Sequence, residues 1–338
     1  MSSENIGIAG HGVYLPQGRV SASDLAAKAG LAEREVVEEL GVVSKTDPAR
    51  EDQPQEMARL AGAAALAQAG MDPLDVNLVL WSGEEYKDYI AQTASIRLQK
   101  EVGATNAWAF DLVGQGTTLV TGLRVAAALM RGDAEIKTVL IAGGSRNCDL
   151  VDPANPDTRW LLDCSAAGGA VVLQRGIGKN LLLGFGMDVA ADLSDEVAVP
   201  AGGTGLPFSL EVLNGPDMYY QVENPGLVTQ YWDKQFAAGL CRAVEQALKR
   251  AGLAGRGIDF LAGRHLPPAQ QKQVAARLGL ADGQTANLAD LGFTGAADPV
   301  ISLDRGLAQG AVAPGRLVAL AGSGHGFCHA AALVKWGE

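Results

Sequence analysis

Short apolar runs alternate with longer amphipathic stretches along most of this chain. Apolar runs of this kind, such as LVAL at 317–320, are typical of buried strands. The amphipathic stretches are rich in alanine and several end at a glycine, as at Gly70 and Gly252, where a helix commonly ends. Alternating strands and helices predict an α/β fold with a central sheet covered by helices. The pattern predicts strands at 6–9, 76–81, 138–142, 169–173, 181–184, 260–262 and 317–321, and helices at 56–69, 117–130, 235–251 and 268–278.

One half of the chain repeats the pattern of the other. Two pairs of segments correspond, 61–83 with 243–265 and 131–144 with 308–324. The first pair shares an alanine-rich helix, an Ala-Gly stop, a short linker and a buried strand, and the second shares a turn followed by a strand. The repeat predicts two related halves, 1–176 and 177–338. The Gly- and Pro-rich stretch 192–224 predicts a long loop or cap, which in α/β proteins often shapes a substrate mouth.

Composition excludes several classes of protein. The 338 residues are 48% hydrophobic and 19% charged, which is typical of a folded domain. A net charge of -11 disfavours binding to nucleic acid or to an anionic membrane. The cysteines lack CxxC spacing and predict reduced thiols without disulfides. No stretch has the length of a membrane span, and the first residues lack a secretory signal, so we expect a cytoplasmic protein.

Five segments together resemble one protein family. They are GIAGHGVYLPQGRVSASDLA (7–26), AFDLVGQGTTLVTGL (109–123), LAGRHLPPAQQKQVAARLGL (261–280), LGFTGAADPVISLDRGL (291–307) and LVALAGSGHGFCHAAALVKW (317–336). Their order and spacing are similar to those of the thiolase superfamily, most closely its ketoacyl synthase III branch. The resemblance spans essentially the whole chain. It implies the thiolase fold, a duplicated five-layered αβαβα architecture whose halves are related by a pseudo-twofold axis.

The resemblance also implies where the family's reactive residues fall. In the family a nucleophilic cysteine at a helix N-terminus takes the acyl group, and a histidine and an asparagine stabilise the charge formed on decarboxylation. The histidine falls at or beside His265, because a strict count ends on Arg264. Three other family residues are replaced: the cysteine, five residues after Asp111, by Gly116, the asparagine by Phe293, and a glycine of the oxyanion loop by His325.

Neighbouring side chains offer weak replacements for the missing nucleophile. Thr117 follows Gly116, but one step along a helix turns a side chain by about 100°. Decarboxylating relatives carry a glutamine in place of the cysteine, yet the count puts Gln115 one residue early. Cys164 and Cys328 lie in segments near the site and are expected to be small packing residues.

The sequence predicts neither a bound metal nor a tightly held cofactor. His325 and His329 are four residues apart, but they follow Gly-Ser-Gly and no third ligand accompanies them. The family holds the adenine end of coenzyme A with a tryptophan and an arginine, and Glu35 and Glu39 stand at those places. Carboxylates repel the phosphates of the coenzyme. The resemblance still implies an acyl-coenzyme A or acyl-carrier-protein thioester as substrate.

Two functional hypotheses follow. The first is a noncatalytic or accessory subunit of a condensing complex, forming a homodimer or a heteromer with a cysteine-containing thiolase-fold sibling. In the family, the loop that includes Tyr86 and Tyr89 reaches across the dimer interface. The second is an acyltransferase or aldolase-like enzyme that acts on acyl thioesters without a covalent cysteine intermediate. It would use His265 and the tyrosines near the cap as acids or bases, namely Tyr219, Tyr220 and Tyr231.

Overall fold

The computed structural model describes residues 5–338. Its strands are β1 (Ile6–Tyr14), β2 (Gly18–Ser21), β3 (Ser44–Asp47), β4 (Leu78–Trp81), β5 (Trp108–Asp111), β6 (Thr138–Ser145), β7 (Ala167–Arg175), β8 (Leu181–Val189), β9 (Val197–Ala198), β10 (Gln221–Val222), β11 (Phe260–Gly263), β12 (Leu317–Ser323) and β13 (Cys328–Lys335). Its helices are α1 (Ala22–Ala29), α2 (Glu33–Glu39), α3 (Pro54–Ala69), α4 (Ala94–Val102), α5 (Thr118–Gly132), α6 (Leu210–Leu213), α7 (Pro225–Lys234), α8 (Phe236–Arg250), α9 (Pro268–Leu278) and α10 (Asp298–Ala308). All of the predicted strands and helices are present, and most of the strands extend further than predicted.

The strand order repeats within one continuous nine-stranded sheet. From its outer edge inward, the N-terminal part runs β5-β4-β6-β7-β1, and the C-terminal part runs β11-β12-β13-β8. Thr285 forms a parallel β-bridge with Leu261 of β11. This bridge corresponds to the pairing of β5 with β4 in the N-terminal part. The two parts meet where Gly7 of β1 pairs with Leu181 of β8. This repeated order confirms the duplicated architecture. The predicted boundary at 176 and 177 falls in the turn between β7 and β8, and the division into two domains stays a prediction.

Five layers follow from how the helices pack. Helices α5 and α10 share one apolar core with strands of both parts of the sheet; Leu123 and Val300 pack there with Ile141 and Leu320. Helices α3 and α4 cover the outer face of the N-terminal strands. Helices α8 and α9 cover the outer face of the C-terminal strands. The central helices are therefore enclosed by both halves, and the N-terminus of α5 lies in the middle of the molecule.

Glycines bring the outer helices into main-chain contact with the sheet. A Cβ atom at Gly12 of β1 would collide with the carbonyl oxygen of Ala61 in α3. A Cβ atom at Gly186 of β8 would collide in the same way with the carbonyl oxygen of Ala243 in α8. The two contacts occupy equivalent places in the two halves, since β1 and β8 are the corresponding strands.

The predicted cap is mostly irregular, as expected. Between residues 190 and 224 the chain forms only β9, α6, β10 and short single turns before α7 begins. Its apolar side chains pack with α7 and with the loop between β12 and β13, where Phe327 is buried. Within residues 5–338, every helix is too short or too polar to span a membrane.

Candidate functional site

A strained turn connects β5 to the central helix α5. β5 ends at Asp111, whose carboxylate accepts hydrogen bonds from Lys87 Nζ at 2.7 Å and from the backbone N–H of Ser95 at 2.8 Å. The single turn that precedes α5 begins at Gln115, whose φ of 50° lies in the left-handed region. A residue other than glycine in that region costs on the order of 1–3 kcal/mol, and such strain is concentrated at functional sites. Thr118 Oγ1 holds the turn by donating to the carbonyl oxygen of Gln115 at 2.6 Å.

The structure leaves no room for a side chain at Gly116. A Cβ atom there would collide with the carbonyl oxygen of Ser323 and would lie 3.0 Å from the ring of Phe293. The side chain presented at the turn instead belongs to Gln115, which borders the cavity described below. Counting residues from Asp111 could not detect this, because the backbone conformation at the turn decides which residue points outward.

Two of the predicted positions, Phe293 and His325, come together in a closed chamber behind the turn. Their ring centroids lie 5.3 Å apart, and the guanidinium of Arg264 stacks 3.8 Å from the centroid of Phe293. Cys164 Sγ lies 3.6 Å from His325 Nε2, and Trp160 packs edge-on against His325 at 5.6 Å. Phe293, His325, Arg264 and Cys164 are each at most 5% exposed. The chamber is filled by protein side chains.

Arg264, and not His265, belongs to this chamber. The imidazole of His265 turns away and donates from Nε2 to the carbonyl oxygen of Leu40 at 2.9 Å. Burial lowers the pKa of His265, so its neutral form is favoured. Arg264 lies 3.7 Å from Asp163 Oδ2. Burial raises the pKa of Asp163 to about 6, although the charge of Arg264 opposes this effect.

The two carboxylates expected at the coenzyme entrance lie on α2. Glu35 Oε2 accepts a hydrogen bond from the backbone N–H of Ala32 at 2.7 Å, so this carboxylate caps the first turn of the helix. Glu39, at the other end of α2, is exposed. A local structural role thus accounts for Glu35.

The cysteine thiols all lie in surroundings that disfavour the thiolate. Burial raises the pKa of Cys148 to about 12 and that of Cys241 to about 11. It raises the pKa of Cys164 well above its usual value, and that of Cys328 as well. Burial also lowers the pKa of His325 to about 3, so this imidazole is a poor base for Cys164. None of the four cysteines lies at the start of α5.

A second buried network holds the glycine-rich loop between β12 and β13. Tyr231 Oη lies 2.9 Å from His329 Nε2, and His329 Nδ1 lies 2.7 Å from Ser323 Oγ. These hydrogen bonds give Tyr231 a structural role in holding the loop. Tyr220 packs edge-on against His325, and Tyr219 is only partly buried. Residues 5–338 contain no group of three or more His, Cys, Asp or Glu side chains that could hold a metal ion.

A cavity of about 750 Å³ lies on the outer side of the turn. Its wall includes Gln115, Asn147 and Tyr220, together with the loop 84–91 and part of the cap. Glu84, at the start of this loop, is 2% exposed, and its Oε1 accepts a hydrogen bond from the N–H of Ala296 at 3.3 Å. Burial raises the pKa of Glu84 to about 8. Sequence reasoning missed Glu84, because an acidic pair after a strand is typical of an exposed loop.

The edge strand β5 carries exposed apolar side chains. Trp108 is 57% exposed and packs against Phe110 with the ring centroids 4.8 Å apart and the ring planes tilted by 46°. Tyr89, Ile90 and Ile96 are also more than half exposed. An unpaired strand edge with large apolar side chains is typical of a surface that pairs with another chain.

The chain is similar to known proteins over nearly its full length. A family model described as 3-Oxoacyl-[acyl-carrier-protein (ACP)] synthase III matches residues 110–190, and the model for its C terminal matches 248–336. A Beta-ketoacyl-[acyl-carrier-protein] synthase III of Synechocystis sp. is 31% identical over 82% of this chain and 81% of that protein. A protein of the same description from Thermosynechococcus vestitus is 27% identical over 99% of this chain and 100% of that protein. The crystal structure of the Pseudomonas aeruginosa 3-oxoacyl-(acyl carrier protein) synthase III superposes with a TM-score of 0.82 at 24% identity, over 99% of each chain. The predicted thiolase-type α/β fold is thereby confirmed.

Proposed function

Because the chain belongs to the 3-oxoacyl-[acyl-carrier-protein] synthase III family, we propose that it is a noncatalytic subunit that supports a condensing complex. The observation that carries this proposal is the turn before α5, which presents the amide of Gln115 and no thiol. An amide does not form an acyl-enzyme, and the pKa of every cysteine is raised by burial.

The closed chamber supports the same proposal. Condensation by decarboxylation needs hydrogen-bond donors directed at the developing oxyanion. Phe293 supplies no donor, and its ring stacks under the guanidinium of Arg264. His325 packs between aromatic rings with Cys164 Sγ as its polar neighbour. A thioester that entered this chamber would have to displace buried side chains.

A cysteine-bearing sibling is the partner that we propose. The exposed edge of β5 and the apolar side chain of Trp108 suit a sheet that continues into a second subunit. A homodimer would use the same edge, but it would contain no active-site cysteine. The heteromer accounts for both the edge and the missing thiol.

One observation favours a second candidate function. The strained φ of Gln115 and the cavity beside it are features of a site that handles a ligand. An acyltransferase or aldolase-like enzyme acting on an acyl thioester without a covalent intermediate would use such a site. The acyl donor would be a coenzyme A or acyl-carrier-protein thioester.

Incubation of the purified chain with acetyl-coenzyme A and malonyl-acyl-carrier protein separates the two candidates. The proposal expects an unchanged intact mass and no condensation product. An acyl adduct on any cysteine would contradict both candidates. Product formed by the chain alone, without such an adduct, would contradict the proposal and support the second candidate.

The partner is tested by mixing the chain with each cysteine-bearing family member of its own organism. We expect one of these siblings to form a stable complex and to gain activity. Trp108→Lys should abolish the gain by placing a charge on the strand edge. Leu210→Lys is the matched control, because Leu210 is exposed on the cap and is not part of that edge. An equal loss in both variants, or full sibling activity without this chain, would refute the partner role.

A further inference from the structure

Three residues that line the 750 Å³ cavity each carry a buried oxygen atom without a hydrogen-bond partner. They are Glu84 Oε2, Gln115 Oε1 and Asn147 Oδ1. Glu84 is 2% exposed and Asn147 is 5% exposed, so bulk water does not readily satisfy them. Buried polar atoms without partners are rare in folded proteins and often mark the place of a ligand.

The wall of the cavity contains more acidic than basic side chains. The two cations in the wall already have partners: Lys87 Nζ lies 2.7 Å from Asp111, and Arg146 Nε lies 2.7 Å from Asp149. Glu84 has no cationic partner among these contacts, and its only hydrogen bond comes from the N–H of Ala296. The wall therefore offers no unpaired cation to a carboxylate-bearing or phosphate-bearing ligand.

We propose that this cavity binds a small molecule with a primary ammonium group, held by Glu84, Gln115 and Asn147, on an apolar body. An ammonium has three N–H donors, which match three acceptor oxygens that lack donors. An alcohol has one donor and leaves two of these oxygens unsatisfied. The ammonium also supplies the positive charge that Glu84 lacks.

The rest of the wall suits an apolar body. The side chains of Leu150, Val199, Phe208 and Met218 line the cavity, and the ring of Tyr220 lies among them. Aromatic rings also attract an ammonium group through the cation–π interaction. The cavity volume is in the range of small-molecule sites. This inference goes beyond the proposed subunit role, because it requires neither catalysis nor a partner chain.

The proposal makes a specific prediction about protons. The pKa of Glu84 is about 8, so at pH 7 its carboxyl group is mostly protonated in the free protein. A bound ammonium favours the carboxylate, and the carboxyl proton then leaves to the solvent. Binding at pH 7 should release about one proton.

Isothermal calorimetry with n-hexylamine as the probe tests the site, with 1-hexanol and hexanoate as comparison probes of equal chain length. We expect hexylamine to bind at least tenfold more tightly than either comparison probe. Measurements in two buffers of different ionisation enthalpy should give a release of about one proton. Both readouts use the unmodified protein, so they do not depend on the folding of a variant.

Glu84→Gln should weaken hexylamine binding at least tenfold and remove the proton release. Glu85→Gln is the matched control, since Glu85 borders the same cavity but is exposed. Equal affinity for hexylamine and hexanol, no detectable hexylamine binding, or binding without proton release would overturn the proposal. Because these titrations contain no thioester and no sibling, their outcome is independent of the test of the proposed function.

Discussion

The buried carboxyl group of Glu84 should lower the stability of the protein as the pH rises. Its pKa is about 8 in the folded protein, against a usual value of 4.5, and burial is the main cause, with the nearby carboxylates of Asp298 and Glu85 adding to it. Between these two values the folded state binds a proton that the unfolded state does not, so unfolding releases that proton. The free energy of unfolding therefore decreases from about pH 4.5 to about pH 8.

The size of this effect follows from the two pKa values. The difference, 8 minus 4.5, corresponds to about 5 kcal/mol at ~1.4 kcal/mol for each factor of ten in proton affinity. This is an upper bound, reached at pH 8 and above. Glu84→Gln keeps an oxygen that can accept from the N–H of Ala296 and removes the ionisation. We expect the variant to gain about 2–5 kcal/mol over the native protein between pH 5 and pH 9.

Urea unfolding at pH 5, 7 and 9, at one fixed protein concentration, measures this gain. Glu85→Gln should follow the native profile, because Glu85 is exposed. Parallel pH profiles for Glu84→Gln and the native protein would refute the reasoning, since they would mean that Glu84 ionises in the folded state as easily as in the unfolded state. A saturating amount of n-hexylamine should stabilise the native protein at pH 9 and should stabilise Glu84→Gln less.

Three further predictions concern the chamber and the loop beside it. Gly116→Ala should lower the free energy of unfolding by about 1–3 kcal/mol, because the new methyl group meets the carbonyl oxygen of Ser323. Gly132→Ala, at the end of α5 where the space is open, should not lower it, and equal unfolding midpoints for the two variants would contradict this. The pKa of His325 is about 3 in the folded protein against 6.5, so the unfolded state gains the proton first and stability falls as the pH drops from 6.5 toward 3. His325→Leu should therefore show a smaller loss of stability between pH 6.5 and pH 4, and an unchanged loss would oppose this account. Tyr231→Phe should cost about 1–2 kcal/mol by leaving His329 Nε2 without its partner; the partly exposed Tyr219→Phe should cost nothing measurable by the same unfolding assay.

Local patterns in the sequence were sufficient to predict much of the fold. The buried strands and the alanine-rich helices are set by hydrophobic periodicity over ten to twenty residues, and the structure has each of them. The duplication could be predicted because both halves use the same order of helix, glycine and strand. The strand β5 and the helix α10 were visible only within the segments that carry the family resemblance.

The details of the candidate site depend on tertiary structure and could not be predicted in the same way. Whether Gln115 or Gly116 is presented at the turn depends on one backbone angle, which no pattern encodes. Arg264 and His265 are adjacent in the sequence, but tertiary contacts place Arg264 against the ring of Phe293 and His265 against the carbonyl oxygen of Leu40. The burial of Glu84 arises from the approach of Ala296, more than two hundred residues away in the sequence.

The glycine contacts at Gly12 and Gly186 determine which changes a chain of this kind tolerates. These contacts set the spacing between each outer helix and the sheet through main-chain atoms. A new side chain at either glycine would push a whole helix outward, and no neighbouring rotamer could absorb the change. Substitutions of the chamber residues change the chemical groups in the chamber but leave the spacing between helix and sheet unchanged. The fold can therefore be kept through substitutions in the chamber, whereas a side chain at either glycine of the innermost strands, β1 and β8, would disturb it.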